Sequence, residues 1–479
     1  MNVRFRFLLI CSWVICSVPA WIRAQASPPN IVVLFADDLG YGDLGCFGAE
    51  EFETPNLDRI AENGIKFTSF YVAAAGCAPS RSALLTGCYP MRVGGGGIGS
   101  ATSNKGLHPN EITLAEMLKE AGYQTAIVGK WHQGWSHEFL PMQQGFDSYY
   151  GLPYSHDMSF AHATHPETYP PLPLIRGNDV IAVNPDLSRL TSNYTKEALK
   201  VIRNYKDNPF FLYLCYNMPH VPLFVPDKHR GKTERGLFGD VVREIDLSAG
   251  QIIQSLKDNN IYENTLVIFT SDNGPWLQYG DHGGSAGPLR EGKGTTFEGG
   301  MREPCVMQWP ARIPKGQVSD AVVGTIDFMP TFAAISGGQA PTDRTLDGKD
   351  ITALLEGKET KSPHEAFYYY SGPELQAIRS GPWKIHFPHN YRAGDGKWPS
   401  HGIPVPYVYP DIGLSLFNLD ADIGETTNVI DRHPEVVKRL RTFAAKISAD
   451  IGDSRLKIRG KNNRPVGMMS KESFERRGW

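Results

Sequence analysis

The amino-acid sequence predicts an α/β protein. A large, mostly parallel or mixed sheet is sandwiched by helices and followed by a smaller unit of antiparallel sheet plus helix. Three observations lead there. Apolar, β-branched runs recur with helical segments between them. The runs are continuous rather than alternating, the pattern of strands buried on both faces. Beyond about residue 360 the chain changes to short strand-like pieces broken by Gly and Pro.

Residues 1–26 read as a secretory signal peptide. Arg4 and Arg6 precede the apolar stretch FLLICSWVICSV, and AQA ends at Ala26 as a small-x-small cleavage site. That stretch is too short for a membrane span, and no other run approaches the ~18–20 apolar residues one needs. Cleavage near Ala26 places the mature chain in an exported compartment: periplasmic, extracellular or lysosome-like. No stable membrane insertion is expected.

The main unit is expected over residues 27–362. NIVVLFA (30–36) is its first buried strand. TPNLDRIAENG is a short helix, with Thr54 as N-cap, Pro55 at the first position and Gly64 at its end. IKFTSFYV (65–72) is a second strand. NEITLAEMLKEAG (110–122) is an amphipathic helix and YQTAIVG (123–129) a strand. The helix 191–205 leads to the strand PFFLYLCY (209–216), and the helix 238–259 to NTLVIFTS (264–271). PCVMQWP (304–310) and the helix 325–337 complete the series. Such an order implies helices crossing between strands of one sheet. Residues 363–455 form the smaller unit, ending in the helix HPEVVKRLRTFAAKISADIG, and 456–479 read as a basic, polar surface tail.

The chain has 479 residues and a formal net charge of −3. That balance argues against nucleic acid as a partner. Of seven cysteines, Cys11 and Cys16 leave with the signal. Cys46, Cys77, Cys88, Cys215 and Cys305 remain, so an exported chain keeps at least one thiol unpaired.

In open parallel sheets, ligands bind outside the carboxyl ends of the strands. NIVVLFA is followed by Asp37 and Asp38, and NTLVIFTS by Asp272 and Asn273. YQTAIVG is followed by Lys130 and His132, and PFFLYLCY by His220. Each has an ordinary explanation taken singly: a turn cap at Asp38, a type I′ turn at Asn273, a satisfied core histidine at His220. Four strands placing such side chains at one edge point to a site. Asp37, Asp38, Asp272 and Asn273 are hard oxygen donors, which suit Ca²⁺ or Mg²⁺, and no Cys/His spacing suggests zinc. Lys130, His132, His220 and Lys293 are cationic or can become so. A divalent cation beside them makes a site for an anion.

The stretch CAPSRSALLTG fits the same site. Pro79 can begin a helix running to Gly87, which puts Cys77 at a helix N-terminus that favours anions, with Arg81 one turn on.

CAPSRSALLTG resembles the sulfatase signature C-x-P-S-R-x-x-x-x-T-G. NIVVLFADDLGYGDLG, GKWHQG, PYSHD, NMPHVP, SDNGP and GKGTTFEGGMREP match further family motifs in order. The chain is thus similar, from about residue 30 to 440, to formylglycine-dependent sulfatases of the arylsulfatase and N-acetylgalactosamine-6-sulfatase type, with an alkaline-phosphatase-like fold. One departure is Gln133, where the family usually has an aliphatic residue. It is expected to alter a neighbouring contact and not the chemistry.

The resemblance implies roles. Asp37, Asp38, Asp272 and Asn273 would hold Ca²⁺, Mg²⁺ being the less expected ion. Cys77 would be oxidised to 3-oxoalanine (formylglycine) by a formylglycine-generating or equivalent maturation enzyme. Its hydrate would attack sulfur and touch the metal, and Arg81 would stabilise it. Lys130, Ser155, His220 and Lys293 would bind the sulfate, with His220 or Lys293 protonating the leaving oxygen. His132 would act as base when sulfate is eliminated.

The implied activity is hydrolysis of sulfate esters. The alternatives are a phosphate mono- or diester hydrolase of the same superfamily and a non-catalytic binder of sulfated glycan. Aromatic residues crowd the expected rim: Trp131, Trp135, Tyr149, Tyr150, Tyr154, Trp276 and Tyr279. Five of the 14 histidines lie in 132–165. Both features suit a sulfated poly- or oligosaccharide. The long Pro-rich, aromatic loop 387–411 is expected to border the substrate cleft.

Overall fold

The computed structural model describes residues 27–397, 399–471 and 473. The signal-peptide segment 1–26 lies outside the described residues. Among them, no helix is long and apolar enough to cross a membrane.

The main sheet is built on β1 (Asn30–Ala36), which pairs in parallel with both β8 (Phe210–Cys215) and β9 (Thr265–Ser271). β4 (Gln124–Gly129) adds in parallel to β8, and β5 (Ser148–Gly151) to β4. These are the continuous apolar runs, and β1, β8 and β9 are buried along their whole length. Their side chains divide between two cores. Ile31, Val33 and Phe35 of β1 enter one, while Val32, Leu34 and Ala36 enter the other. α2 (Cys77–Thr86), α3 (Leu114–Glu120) and α7 (Phe328–Ser336) supply the first core with Leu84, Leu118 and Phe332. α1 (Pro55–Glu62), α4 (Leu190–Tyr205) and α5 (Leu237–Asp258) supply the second with Leu57, Ala198 and Ile245. The result is three layers around one sheet.

The sheet is mixed at both ends. β10 (Arg302–Gln308) runs antiparallel to both β9 and β2 (Ile65–Tyr71). β11 (Gln317–Ser319) and β12 (Val323–Gly324) lie parallel to β2. On the far side, β6 (Pro173–Arg176) and β7 (Asp179–Val183) extend β5 by antiparallel pairing. These short strands fall between the apolar runs that sequence patterning picks out.

Two predicted helix starts move. The helix expected from residue 110 begins at Leu114, because Thr113 forms a capping box with Glu116. α2 starts at Cys77 rather than at Pro79. Pro79 then sits in the first turn, where its missing N–H removes no intrahelical bond.

The smaller unit is a four-stranded antiparallel sheet, β13 (Phe367–Ser371), β14 (Glu374–Ser380), β15 (Trp383–His386) and the strand Ser415–Asn418. The helix Pro434–Ile451 contributes Leu440, Ile447 and Ile451 to the core beneath it, which also takes Tyr71 from the end of β2 and Val72 just after it. The segment from 456, expected as a surface tail, is laid along the body as far as it is described. Gly467–Met468 pairs with β3 (Lys105–Gly106), and Arg464 pairs with Glu111 at 2.7 Å. Cys46, Cys77, Cys88, Cys215 and Cys305 are all unpaired.

A buried charge network joins the two units. Glu298, on the short helix α6 (Glu298–Met301), accepts from Lys384 at 2.9 Å, Arg302 at 3.3 Å and Tyr369 at 3.1 Å, and also from Tyr71. Lys384 also pairs with Glu425 at 3.0 Å, and His386 with Glu425 at 2.8 Å. Burial opposes the Glu298 charge, but Lys384, Arg379 and Arg302 hold its carboxyl well below the usual range. Glu298→Ala leaves these cations uncompensated. The expected loss is about 3–5 kcal/mol of unfolding free energy, read from urea denaturation. An unchanged midpoint would show that the network does not join the units.

Candidate active site

β1 and β9 end side by side, with Ala36 opposite Ser271. The next residues, Asp37–Asp38 and Asp272–Asn273, therefore leave the sheet together, and all four are buried. Asp38 takes a left-handed backbone conformation, φ 65°. Its N–H donates to Asp272 Oδ1 at 3.1 Å, and its Oδ1 accepts from Asn273 Nδ2 at 2.8 Å.

Arg81 is fully buried and ties these ends to a third strand. Its Nε and Nη2 donate to Asp272 Oδ2 at 3.0 and 2.7 Å, and its Nη1 to the Lys130 carbonyl at 3.1 Å. Lys130 follows β4 through Gly129, φ 111°, where a Cβ would stand 1.7 Å from the Cys215 carbonyl oxygen. Only glycine lets the chain turn here against β8. Lys130 Nζ then reaches Asp37 Oδ2 at 2.6 Å and Ser155 Oγ at 3.1 Å. Burial opposes ionisation of Asp37, yet Lys130 and Arg81 hold its carboxyl below the usual value.

Cys77 occupies the first helical position of α2, preceded by Gly76. Its Sγ lies 3.4 Å from Lys293 Nζ and 3.7 Å from Asp38 Oδ1. Burial, then the Asp272 charge, pushes the thiol well above its ordinary pKa. An unmodified Cys77 is thus protonated and a poor nucleophile. Lys293 also donates to Asp38 Oδ2 at 2.7 Å and lies 4.2 Å from the Trp276 ring centroid. Although burial disfavours its charge, Asp38 and its neighbours raise its pKa, so it remains an ammonium.

The two histidines differ in tautomer. His132 Nε2 lies 2.6 Å from the Gly99 carbonyl, which can only accept. Nε2 therefore carries the proton, and Nδ1, buried with no partner, presents a lone pair. Burial and the Lys130 charge push the His132 pKa well down. His220 Nδ1 donates to the Val221 carbonyl at 2.6 Å, leaving Nε2 facing Asp38 Oδ2 at 3.5 Å. Burial and Lys293 keep it neutral as well.

The acceptor set fits a hard divalent cation. Asp37 Oδ1 and Asn273 Oδ1 are buried and receive no hydrogen bond. One ligand-type atom from each of Asp37, Asp38, Cys77 and His220 lies within 4.8 Å of the others. Unsatisfied oxygens at such density are the donors that Ca²⁺ or Mg²⁺ takes. Asp272 has both oxygens engaged, one by Arg81 and one by the Asp38 N–H.

All eleven residues singled out in the sequence fall at this carboxyl edge of the sheet or at α2. The aromatic rim does not survive as expected. Trp131, Tyr149, Tyr150 and Tyr154 are buried core residues, and of that group Trp276 touches both Lys293 and His220. The loop 387–411 does reach the site: Arg392 donates to the Lys293 carbonyl at 2.6 Å, and the Trp276 indole to Tyr407 Oη at 2.7 Å. Gln133 has a specific contact, its Nε2 donating to the carbonyls of Ala78 and His132 at 2.7 Å each. It thereby links the first turn of α2 to the histidine loop. Gly99, which fixes the His132 ring, and Arg392 carry no local sequence signal.

Comparison with known proteins identifies the family. The sulfatase family profile matches residues 29–338, and the profile described as the C-terminal region of aryl-sulfatase matches 362–472. Arylsulfatase A of Bos taurus is 40% identical over 470 residues, covering 91% of this chain and 92% of its own. N-acetylgalactosamine-6-sulfatase of Canis lupus familiaris is 41% identical over 386 residues, covering 75% and 72%. A crystallised sulfatase from Pseudoalteromonas sp. superposes with a TM-score of 0.79 at 30% identity, over 88% of this chain and 91% of that one. With both of its units matched, the chain belongs to the sulfatase family, the sulfuric ester hydrolases.

Proposed function

We propose that this enzyme hydrolyses sulfate esters of a sulfated poly- or oligosaccharide and that residue 77 works as formylglycine made from Cys77. The observation that carries the reading is the place of the buried Cys77 thiol, at the first position of α2, 3.4 Å from Lys293 Nζ and 3.7 Å from Asp38 Oδ1. Its place at a helix N-terminus among cations suits a residue that handles an anion. Formylglycine, as its hydrate, supplies two hydroxyls on one carbon, so one can accept the sulfuryl group and deprotonation of the other releases sulfate. Ca²⁺ held by Asp37, Asp38, Asp272 and Asn273 supplies Lewis-acid charge when bound.

The chain's own groups then divide the work. Lys130, Ser155 and Lys293 donate to the sulfate oxygens, and His220 joins them when its Nε2 takes up a proton. Arg81 fixes Lys130 through its carbonyl and would stabilise the hydrated aldehyde. Lys293, held as an ammonium, has a proton to give to the leaving oxygen. His132 keeps Nδ1 unprotonated, as a base requires. Residues 27–362 form the catalytic unit and 363–455 a supporting one, and export follows removal of 1–26. A formylglycine-generating or equivalent enzyme is the required maturation partner.

Steady-state kinetics with matched sulfate and phosphate esters test the reading. Sulfate turnover is expected to dominate kcat/KM, and a preference for phosphate would contradict it. The pH profile tests His132. A base whose pKa is depressed works above that folded value, so kcat stays high as pH falls below 6.5 and drops only when His132 is protonated. His132→Gln should remove that acidic limb and lower kcat by about 10²–10⁴-fold. A half-maximal point at or above pH 6.5 in the wild type would rule out the assignment.

A further inference from the structure

The loop 387–411 does more than border the anion site. The Arg392 guanidinium is seated on Gly294, φ 83°, where a Cβ would come within 2.7 Å of Cζ. It lies 5.6 Å from the Trp276 ring centroid and 4.7 Å from that of Tyr407. One donor is spent on the Lys293 carbonyl, but Nε is buried with no acceptor. Among the described residues, the guanidinium forms no ion pair. A planar cation, stacked and unpaired beside an anion site, has donors free for a second anion.

The aromatic groups continue outward from it. Trp276 touches Lys293 and His220 at the inner end, and its indole holds Tyr407. The Tyr409 ring stands 6.5 Å from Tyr407, and that residue is 63% exposed. An exposed tyrosine next to a half-buried one offers an apolar face to a sugar ring, with the hydroxyl end in water.

We propose that Arg392, Tyr407 and Tyr409 form an outer subsite for the sugar next to the one being desulfated. Arg392 pairs with an anionic group on that neighbour, so the enzyme selects polyanionic chains over isolated sulfate esters. This rests on the sulfated-glycan reading above and deepens it.

The test uses three disaccharides with the same scissile sulfate, whose neighbouring sugar carries a second sulfate, a carboxylate or neither, together with 4-nitrophenyl sulfate. The wild type should prefer an anionic neighbour by about tenfold or more in kcat/KM, the size of one charged hydrogen bond. Comparison of the sulfate and carboxylate arms identifies the anion. Arg392→Gln should abolish the preference and Arg392→Lys should keep part of it. Tyr409→Ala, at an exposed position, should lower kcat/KM for all three disaccharides relative to 4-nitrophenyl sulfate. A wild type indifferent to the neighbour's charge would overturn the subsite. So would an Arg392→Gln variant that keeps the preference, or one that slows all four substrates equally through a displaced Lys293. A wild type that turns over none of the four overturns the glycan-sulfatase reading itself.

Discussion

Arg81 is the residue on which the site's geometry depends. Its guanidinium is fully buried, fastened to Asp272 at one end and to the backbone of Lys130 at the other. Two strand ends and the first turns of α2 are locked together by that single side chain. Around it, the carboxylates of Asp37, Asp38 and Asp272 face the cations of Arg81, Lys130 and Lys293. The cluster tolerates burial because its charges are mutually compensated and hydrogen bonded. A divalent cation adds two positive charges, the amount that a sulfate monoester anion and one ionised hydroxyl neutralise. Electrostatic preorganisation is thus present in the folded chain before substrate arrives.

The smaller unit extends this order to the far side of the site. Glu298, Lys384 and Glu425 pin α6, a few residues beyond Lys293, to the antiparallel sheet. Arg392 then holds the Lys293 carbonyl from the loop that the same sheet supports. Lys293 is consequently positioned by two parts of the chain that are distant in sequence. This explains why the second sheet accompanies the catalytic one: without it, the loop carrying Lys293 would have few partners.

Much of the site was legible before the structure. In open parallel sheets ligands bind beyond the carboxyl ends of the strands, and Asp37, Lys130, His220 and Asp272 stand out after those ends. Cys77 and Arg81 were legible from the proline-initiated helix, although the helix starts two residues earlier, at Cys77. What was not legible depends on tertiary approach. β6 and β7 are short antiparallel additions of four and five residues, and β7 alternates between exposed and half-buried positions instead of being buried on both faces. Trp131 and Tyr154 read as rim aromatics but are drawn into the cores, since sequence cannot tell a packed ring from a presented one. Gln133 acquires its role only because Ala78 comes within 2.7 Å. Arg392 reaches Lys293 across about a hundred residues of chain, a contact no periodicity encodes.

The central claim is that residue 77 works in an oxidised form. Mass measurement of the tryptic peptide 67–81, FTSFYVAAAGCAPSR, from active enzyme tests it most directly. The account predicts a peptide that has lost the thiol mass, resists alkylation and reacts as an aldehyde with a hydrazide. Fully active enzyme whose residue 77 is recovered as an alkylated cysteine would contradict it.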